Sequence, residues 1–549
     1  MVQQHERVTT VADTVFAREN GLARTEPARA DGREETARPR LVPGADWASL
    51  YKRAQAIAPD AFRDHGQVLN LVEGMWGRPG HGKQFDSPCD GTTLCTFPML
   101  DLPTALKAVR FAAGEHEAWT KTDLDERRRR VAATVAELTE HRELLTLLLA
   151  WEIGKPVAQA RVSVDRCISG VTWYIDEIET MLRGRAPLGL ISNIASWNYP
   201  LSVLVHAVLV QTLAGNAVIA KTPTDGGLCA LTLSMAIARR HGLPVSLVSG
   251  AGGALAEALV RNDDVACLSF VGGKTNGRDI AASLYDHDKR YMLEMEGVNA
   301  YGVWDFSDWP ALAAQLKKGF EYGKQRCTAY ARYVVQRELF PRFLQMYLPV
   351  LASLRAGHPL VAGPDGDAPA LDFGPLINAE KVEELRAWYG EAIAKGALPI
   401  FEGGLDAALF FPEQDTSAYL APAALINVPR NCALYHSEPF SPIDTIVVVD
   451  RIEELINELN LSNGSLVGSI ACDDESTARR IAGETRSFKV GANTVRSRGD
   501  KAEPFGGSGE SWKGCFVGGA YLVQAVTKGP AGERLYGHFP DYTLLPEQR

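Results

Sequence analysis

The stretch PLGLISNIASWNYPLSVLVHAVLVQTLAGNAVIAKTP, residues 187–223, decides the fold class. LGLIS is an apolar run of strand length, Leu201 to Leu213 carries apolar residues at helical spacing, and NAVIAK is a second strand. Working outward, the alternation continues through a helix at Leu228 to His241, the strand VSLVSG, a helix at Ala254 to Arg261, the strand CLSFVGG and a helix near Asp279 to Tyr285. Strands of this kind separated by helices predict a parallel sheet covered by helices, because a parallel connection must cross over the sheet. Such sheets bind ligands beyond the carboxyl ends of their strands, so the strand-to-helix turns are where chemistry is expected. A second α/β passage runs from Ala300 to about Asp473. The fold class is therefore α/β with two open α/β domains.

Toward the N-terminus, Thr104 to Trp119 and Leu124 to Trp151 have helical periodicity, and the run Arg127 to Arg130 falls on a solvated face. Asp46 to Glu73 has mixed helical character, and residues 1–45 are a polar Arg/Glu/Ala-rich extension that reads as flexible. At 549 residues the chain exceeds one hydrophobic core, and its 46% hydrophobic and 23% charged composition is that of a folded protein. A net charge of -10 argues against nucleic-acid binding, which requires basic surface to neutralise phosphates. No apolar stretch approaches the roughly 20 residues of a membrane helix, and the N-terminus has no apolar signal core, so a cytoplasmic protein is expected. The nine cysteines are irregularly spaced and suggest reduced thiols with no disulfide framework and no metal site.

Four segments carry candidate chemistry. In SFVGGKTNGRDI a strand runs through Gly272, Gly273 and Gly277 into a helix, a geometry that lets backbone approach a phosphate at a helix N-terminus. A triphosphate loop is excluded, since Leu268 stands where that loop needs glycine. In SNIASWNYPL, Asn198 could aim its amide at an oxyanion or merely cap the next helix. In EYGKQRCTAYARYVV, Cys327 lies between Lys324, Arg326 and a β-like run, and positive neighbours raise a thiolate fraction; a small buried hydrophobe is the plainer alternative. In YMLEMEGVNA, burial would push a carboxyl toward use as a base, but Glu294 and Glu296 share one strand face, so alternation does not choose between them.

Together these segments resemble the aldehyde dehydrogenase superfamily from about Leu102 to Lys528. WNYPL resembles its Trp-Asn-aromatic-Pro segment, implying that Asn198 stabilises an oxyanion and that Trp197 borders the cofactor. VIAKTPT resembles the strand end whose lysine, here Lys221, meets the adenosine ribose beside Thr224. LEMEGVNA and GKQRCT resemble the base and nucleophile segments, selecting Glu294 over Glu296 and implying Cys327 as nucleophile. SEPFSPI resembles Glu-x-Phe-Gly-Pro, so Glu438 would hold the nicotinamide ribose and Phe440 would flank the ring; EIGKP at 152–156 and EPFGG at 503–507 are further landmarks. The resemblance implies a Rossmann-like dinucleotide-binding domain over 46–293, a catalytic domain over 294–473, a return to the first domain over 474–528 and a tail over 529–549. It implies oxidation of an aldehyde to a carboxylic acid with NAD or NADP through a cysteine thiohemiacetal and thioester. The alternatives are a coenzyme A-acylating enzyme, against which Glu294 weighs, and a non-catalytic scaffold on the same fold.

The chain departs from the family pattern at several points. Glu296 and Ser441 stand where glycine is usual, Gly273 replaces a serine that touches the pyrophosphate, and Thr224 replaces a glutamate frequent in NAD-preferring members. Asp225 follows Thr224 with no arginine to grip a 2′-phosphate, which leaves NAD and NADP both open. The oligomerisation segment near 175–187 is short, although a homo-oligomer (dimer or tetramer) is still implied, and SGESWKGC replaces the usual run after EPFGG. Tyr199, Tyr330 and Phe505 are candidates for an apolar funnel admitting hydrophobic or aromatic aldehydes.

Overall fold

The computed structural model of the protein describes residues 39–539 except 78, 79, 286, 288, 364, 462–464 and 497–499. The expected flexible extension falls outside the described residues over 1–38, as does the tail over 540–549.

The alternating stretch forms the centre of a nine-stranded sheet. Its spatial order is Gly537–His538, Trp512–Cys515, Arg290–Met295, Val265–Gly272, Leu190–Ile194, Ala217–Lys221, Val245–Val248, Asn70–Val72 and Met75–Gly77. The five middle strands, Arg290–Met295 to Val245–Val248, are mutually parallel, and the two flanking pairs run antiparallel. From Leu190–Ile194 the chain builds outward to Ala217–Lys221 and Val245–Val248, then returns to the other side with Val265–Gly272. The crevice at the carboxyl end of Leu190–Ile194 is thus the switch point at which such sheets bind ligands, and Trp197 and Asn198 follow it directly.

The flanking helices explain the long apolar runs. Leu228–Arg240 is buried along every residue from Leu228 to Ala238, so it needs apolar side chains on all faces. Its first free N–H groups are satisfied by the Glu152 carboxylate, which accepts from the Cys229 and Ala230 amides at 2.5 and 3.0 Å. The helix expected at Leu201 to Leu213 opens with a wide π-turn at Pro200–Val205 and becomes α-helical only over His206–Leu213. The single helix expected over Leu124 to Trp151 is two, Leu124–Glu140 and Arg142–Ile153, broken at His141. In the mixed N-terminal region Trp47–Ile57 is α-helical, started by Asp46 accepting from the Ser49 amide at 2.8 Å, and Asp64–Gly66 makes one 3-10 turn.

The second sheet has seven strands in the order Leu398–Glu402, Ala423–Ile426, Ile443–Val449, Tyr330–Gln336, Asn299–Val303, Val467–Ala471 and Lys489–Ala492. All pairs are parallel except the edge strand Leu398–Glu402.

The connections between sheets differ from the expected boundaries. Glu294 lies in the first sheet, paired with Val271 on one side and Trp512 on the other, so the chain changes sheets between Met295 and Asn299. Lys489–Ala492 still extends the second sheet, and the return to the first begins at Trp512–Cys515 rather than at 474. Near 175–187, the 25-residue helix Val157–Met181 leads to Ala186–Pro187, which pairs with Thr527–Lys528. No helix among the described residues is long and apolar enough to cross a membrane.

Candidate active site

Three side chains from different elements meet where the two sheets face each other. Glu294 is the penultimate residue of Arg290–Met295 and is almost fully buried. Cys327 precedes Tyr330–Gln336 of the second sheet and is partly exposed. The Cys327 thiol donates to Glu294 Oε1 at 3.0 Å. Asn198, buried behind the first switch strand, donates Nδ2–H to the carbonyl of Gln325 at 2.9 Å, two residues before the thiol. Its Oδ1 accepts from Ser196 Oγ at 2.6 Å, which fixes the amide's orientation and leaves Nδ2 a second N–H to offer. A carboxylate on a thiol can take its proton, and an amide N–H beside it can receive the negative charge that develops when a thiolate adds to a carbonyl.

The loop that presents Cys327 is locally strained and firmly anchored. Tyr322, Gly323 and Lys324 have φ of 61°, 60° and 59°, a left-handed run that costs a non-glycine residue about 1 kcal/mol or more. The anchors are the Tyr322 hydroxyl donating to the Ile153 carbonyl at 2.9 Å and the Lys324 ammonium donating to Asp444 at 2.5 Å, Tyr330 O at 2.8 Å and Tyr333 Oη at 3.0 Å. Lys324 therefore spends its charge on Asp444, not on the thiol, and Arg326 donates to the Gly319 carbonyl at 2.7 Å. The expected pair of cationic flanks around Cys327 is corrected in that respect: sequence neighbours diverge wherever the backbone turns as tightly as it does here.

Two anchoring residues escaped the sequence reading. Asn299 donates to the carbonyls of Cys327 and Ala329 at 2.7 and 2.9 Å, while its Oδ1 accepts from the amides of Leu466 and Val467, both at 3.2 Å. The only signal was a polar residue one place before the end of the motif LEMEGVNA. Lys155, in EIGKP, is fully buried and donates to the Asn198 carbonyl at 2.8 Å. Its ammonium sits 3.9 Å from the Tyr199 ring and 4.3 Å from the Tyr322 ring, and burial holds its pKa well below the ordinary lysine range.

Of the residues expected around a dinucleotide, all but Thr224 and Gly273 are buried or partly buried. Trp197 meets Phe440 edge-on at 5.8 Å, and Phe440 itself adopts φ 53°. Lys221 ends its strand largely buried, donating only to the Thr222 carbonyl at 2.9 Å, and burial brings its pKa down to about 8. Thr224 and Asp225 are exposed beside it. Gly277 is packed so closely that a Cβ would meet Met295 Sδ at 2.2 Å, and at Gly272 a Cβ would meet the Phe270 ring at 2.6 Å; at Gly273 the nearest atom is 4.0 Å away, Glu296 Oε1. Glu438 is buried with Oε1 lacking a hydrogen-bond partner, a carboxylate waiting for donors such as ribose hydroxyls. These features fit a dinucleotide.

Glu296 does not share the strand face of Glu294. The strand ends at Met295, and the Glu296 carboxylate accepts from the Lys274 amide at 2.8 Å, at the start of helix Lys274–Ser283. The expected funnel is also corrected. Tyr330 is core, its hydroxyl bonded with Ser469 Oγ at 2.6 Å, and Phe505 is core against Trp512; only Tyr199 remains near the thiol.

Residues 80–529 match the profile of the aldehyde dehydrogenase family. The chain belongs to that family. It is an NAD(P)-dependent aldehyde dehydrogenase that oxidises an aldehyde to a carboxylic acid. It is similar to a 3-sulfolactaldehyde dehydrogenase of Pseudomonas putida, 24% identical over 81% of this chain and 92% of the relative. An NADP-dependent glyceraldehyde-3-phosphate dehydrogenase of Pisum sativum is 27% identical over 74% of this chain and 82% of the relative. Among solved aldehyde dehydrogenases and related structures, the NADP-dependent glyceraldehyde-3-phosphate dehydrogenase of Bacillus halodurans complexed with NADP superposes with a TM-score of 0.75. It is 24% identical, covering 84% of this chain and 97% of that one, a likeness of fold.

Proposed function

We propose that Cys327 is the nucleophile of this aldehyde dehydrogenase, Glu294 its general base and Asn198 its oxyanion-stabilising amide. The observation that carries this is the 3.0 Å contact between Cys327 Sγ and Glu294 Oε1, made between a strand of the first sheet and the loop that leads into a strand of the second. Glu294 takes the thiol proton and the thiolate adds to the aldehyde carbon. The oxyanion so formed is held by Asn198 Nδ2–H and the Cys327 backbone N–H, donors aimed where charge develops. When bound, NAD or NADP supplies the hydride acceptor that converts the thiohemiacetal to a thioester; Lys221, Thr224, Trp197, Gly272, Gly273, Gly277, Glu438 and Phe440 would hold it. Glu294 passes the thiol proton to solvent and then draws a proton from water, which attacks the thioester; the acid leaves and Glu294 returns that proton to the expelled thiolate. Cys327→Ala should lose turnover while still binding dinucleotide. Glu294→Gln should release one burst of reduced cofactor and stall. Steady turnover in either variant would remove that residue from its role, and acyl-CoA in place of free acid as product would make the enzyme acylating.

For the substrate, an aldehyde bearing a carboxylate, sulfonate or phosphate fits better than an apolar one. Arg166 and Arg326 both bear electrostatically on Tyr199 and Lys155 beside the thiol, and Arg326 Nε is buried without a partner. The two relatives named above carry sulfonated and phosphorylated aldehydes in their names. Succinic semialdehyde against hexanal is the direct comparison: Arg326→Leu should raise KM for the anionic substrate alone, and an equal effect on both would dismiss the reading. A cytoplasmic homo-oligomer, dimer or tetramer, is the proposed state, supported by nine free thiols and by family analogy; light scattering decides the assembly.

A further inference from the structure

We infer that Glu296 is a built-in competitor for the phosphates of the dinucleotide, occupying the helix terminus they need. This rests on the dinucleotide site proposed above. Helix Lys274–Ser283 starts at Gly273, whose missing side chain offers no cap, and the first intrahelical acceptor used is the Gly273 carbonyl, bonded by Gly277 N at 3.0 Å. The Lys274 amide is instead taken by Glu296 Oε1 at 2.8 Å. A carboxylate at a helix N-terminus is held by the free N–H groups and the positive end of the dipole, the same two forces that hold a phosphate. Two anions cannot share those donors.

A second, independent feature shows that this crevice is built for a ligand. Glu438 Oε1 is buried and unpartnered. Burial first and the charge of Glu296 second hold Glu438 above the usual carboxylate range, so the two carboxyl groups interact. Lys381 and Lys274 offset part of that effect on Glu438, whereas Arg278 and Lys513 are both paired with Glu510, at 2.6 and 3.3 Å. A phosphate arriving at the Lys274 amide must therefore displace the Glu296 carboxylate. Glu296 is partly exposed, which leaves solvent on one side of it.

The test compares a ligand with phosphates against one without. ADP-ribose and adenosine are titrated by calorimetry into the full-length enzyme and into Glu296→Gly, Glu296→Gln and Lys221→Ala. ADP-ribose should bind Glu296→Gly about tenfold more tightly, with adenosine unchanged and Glu296→Gln showing a smaller gain in the same direction. If Lys221→Ala weakens ADP-ribose while neither Glu296 variant tightens it, the competitor role is wrong and the site stands. If Lys221→Ala leaves ADP-ribose untouched, the site assignment itself fails and the competitor role falls with it. A gain for adenosine as large as that for ADP-ribose would also overturn the inference, because a change of general fit would then be the cause.

Discussion

Replacing Asp444 by Asn should destabilise the enzyme in a strongly pH-dependent way. Lys324 and Asp444 are buried, at 2% and 0% side-chain exposure, with Nζ and Oδ1 2.5 Å apart. At an effective dielectric of about 20 their attraction is roughly 7 kcal/mol, most of it offset by desolvation of both charges. Consistent with that balance, burial lowers the Lys324 pKa and raises that of Asp444 despite their contact. Without the carboxylate charge, the ammonium is stranded beside Tyr330 O and Tyr333 Oη, and it can escape by losing its proton. From an ordinary lysine pKa of 10.5, that escape costs about 5 kcal/mol at pH 7 and about 2 kcal/mol at pH 9. The expected destabilisation is thus about 3–5 kcal/mol at pH 7, falling to no more than about 2 kcal/mol at pH 9. The sign follows from proton counts: the unfolded variant binds one proton more than the folded one, so its stability rises with pH until the free lysine titrates. Urea unfolding of wild type and variant at both pH values measures the gap. A gap that stays constant between pH 7 and 9 would refute the claim that Lys324 is a desolvated charge whose counter-charge is Asp444.

Three further outcomes are expected. Asn299→Ala leaves the Cys327 and Ala329 carbonyls and the Leu466 and Val467 amides without a partner, so it should cost about 2–4 kcal/mol and slow alkylation of Cys327 by displacing its loop; an unchanged urea midpoint would contradict this. Glu152, with its pKa pushed up to about 7 by burial, stabilises the fold fully below the ordinary carboxylate value of 4.5 and loses that contribution as pH rises through 7. Glu152→Gln should flatten that part of the stability–pH curve between about 4.5 and 7, and an identical curve would show that burial does not control the group. Gly277→Ala forces a methyl onto Met295, next to Glu294, and should cost about 1–3 kcal/mol with weaker dinucleotide binding; thermal melts with and without NADP read both effects.

Much of the first sheet was legible because its strands are buried on both faces and its helices alternate with them, a pattern that only a parallel layered sheet satisfies. NAVIAK and VSLVSG each contain a strand of the nine-stranded sheet, and LGLIS and CLSFVGG overlap the strands Leu190–Ile194 and Val265–Gly272 with ends displaced by up to two residues. Element ends were less legible: the π-turn at Pro200–Val205 and the break at His141 leave the apolar spacing almost unchanged. Tyr330 and Phe505 could be read equally well as tunnel or as core, since aromatic character does not say which side of a sheet faces a cleft. The tie between Glu294 and Glu296 was unbreakable by period alone. The resemblance of LEMEGVNA to a base segment selected Glu294, and the strand, ending at Met295 one residue too early for alternation to continue, leaves Glu296 on the Lys274 amide.

What the amino-acid order determined by itself was local: which runs become strands and helices, where glycines open a turn, and which segments resemble a known set of motifs. These depend on side-chain periodicity and backbone preference over about 5–20 residues, so they can be read along the chain. Tertiary structure alone decided which charges meet. It paired Lys324 with Asp444, 120 positions apart, set Cys327 on Glu294 across 33, and laid Glu296 on the end of a helix 22 residues earlier. Electrostatic and hydrogen-bond energies depend on distances of a few ångströms and on burial, and no spacing along a chain contains either until the sheets are packed.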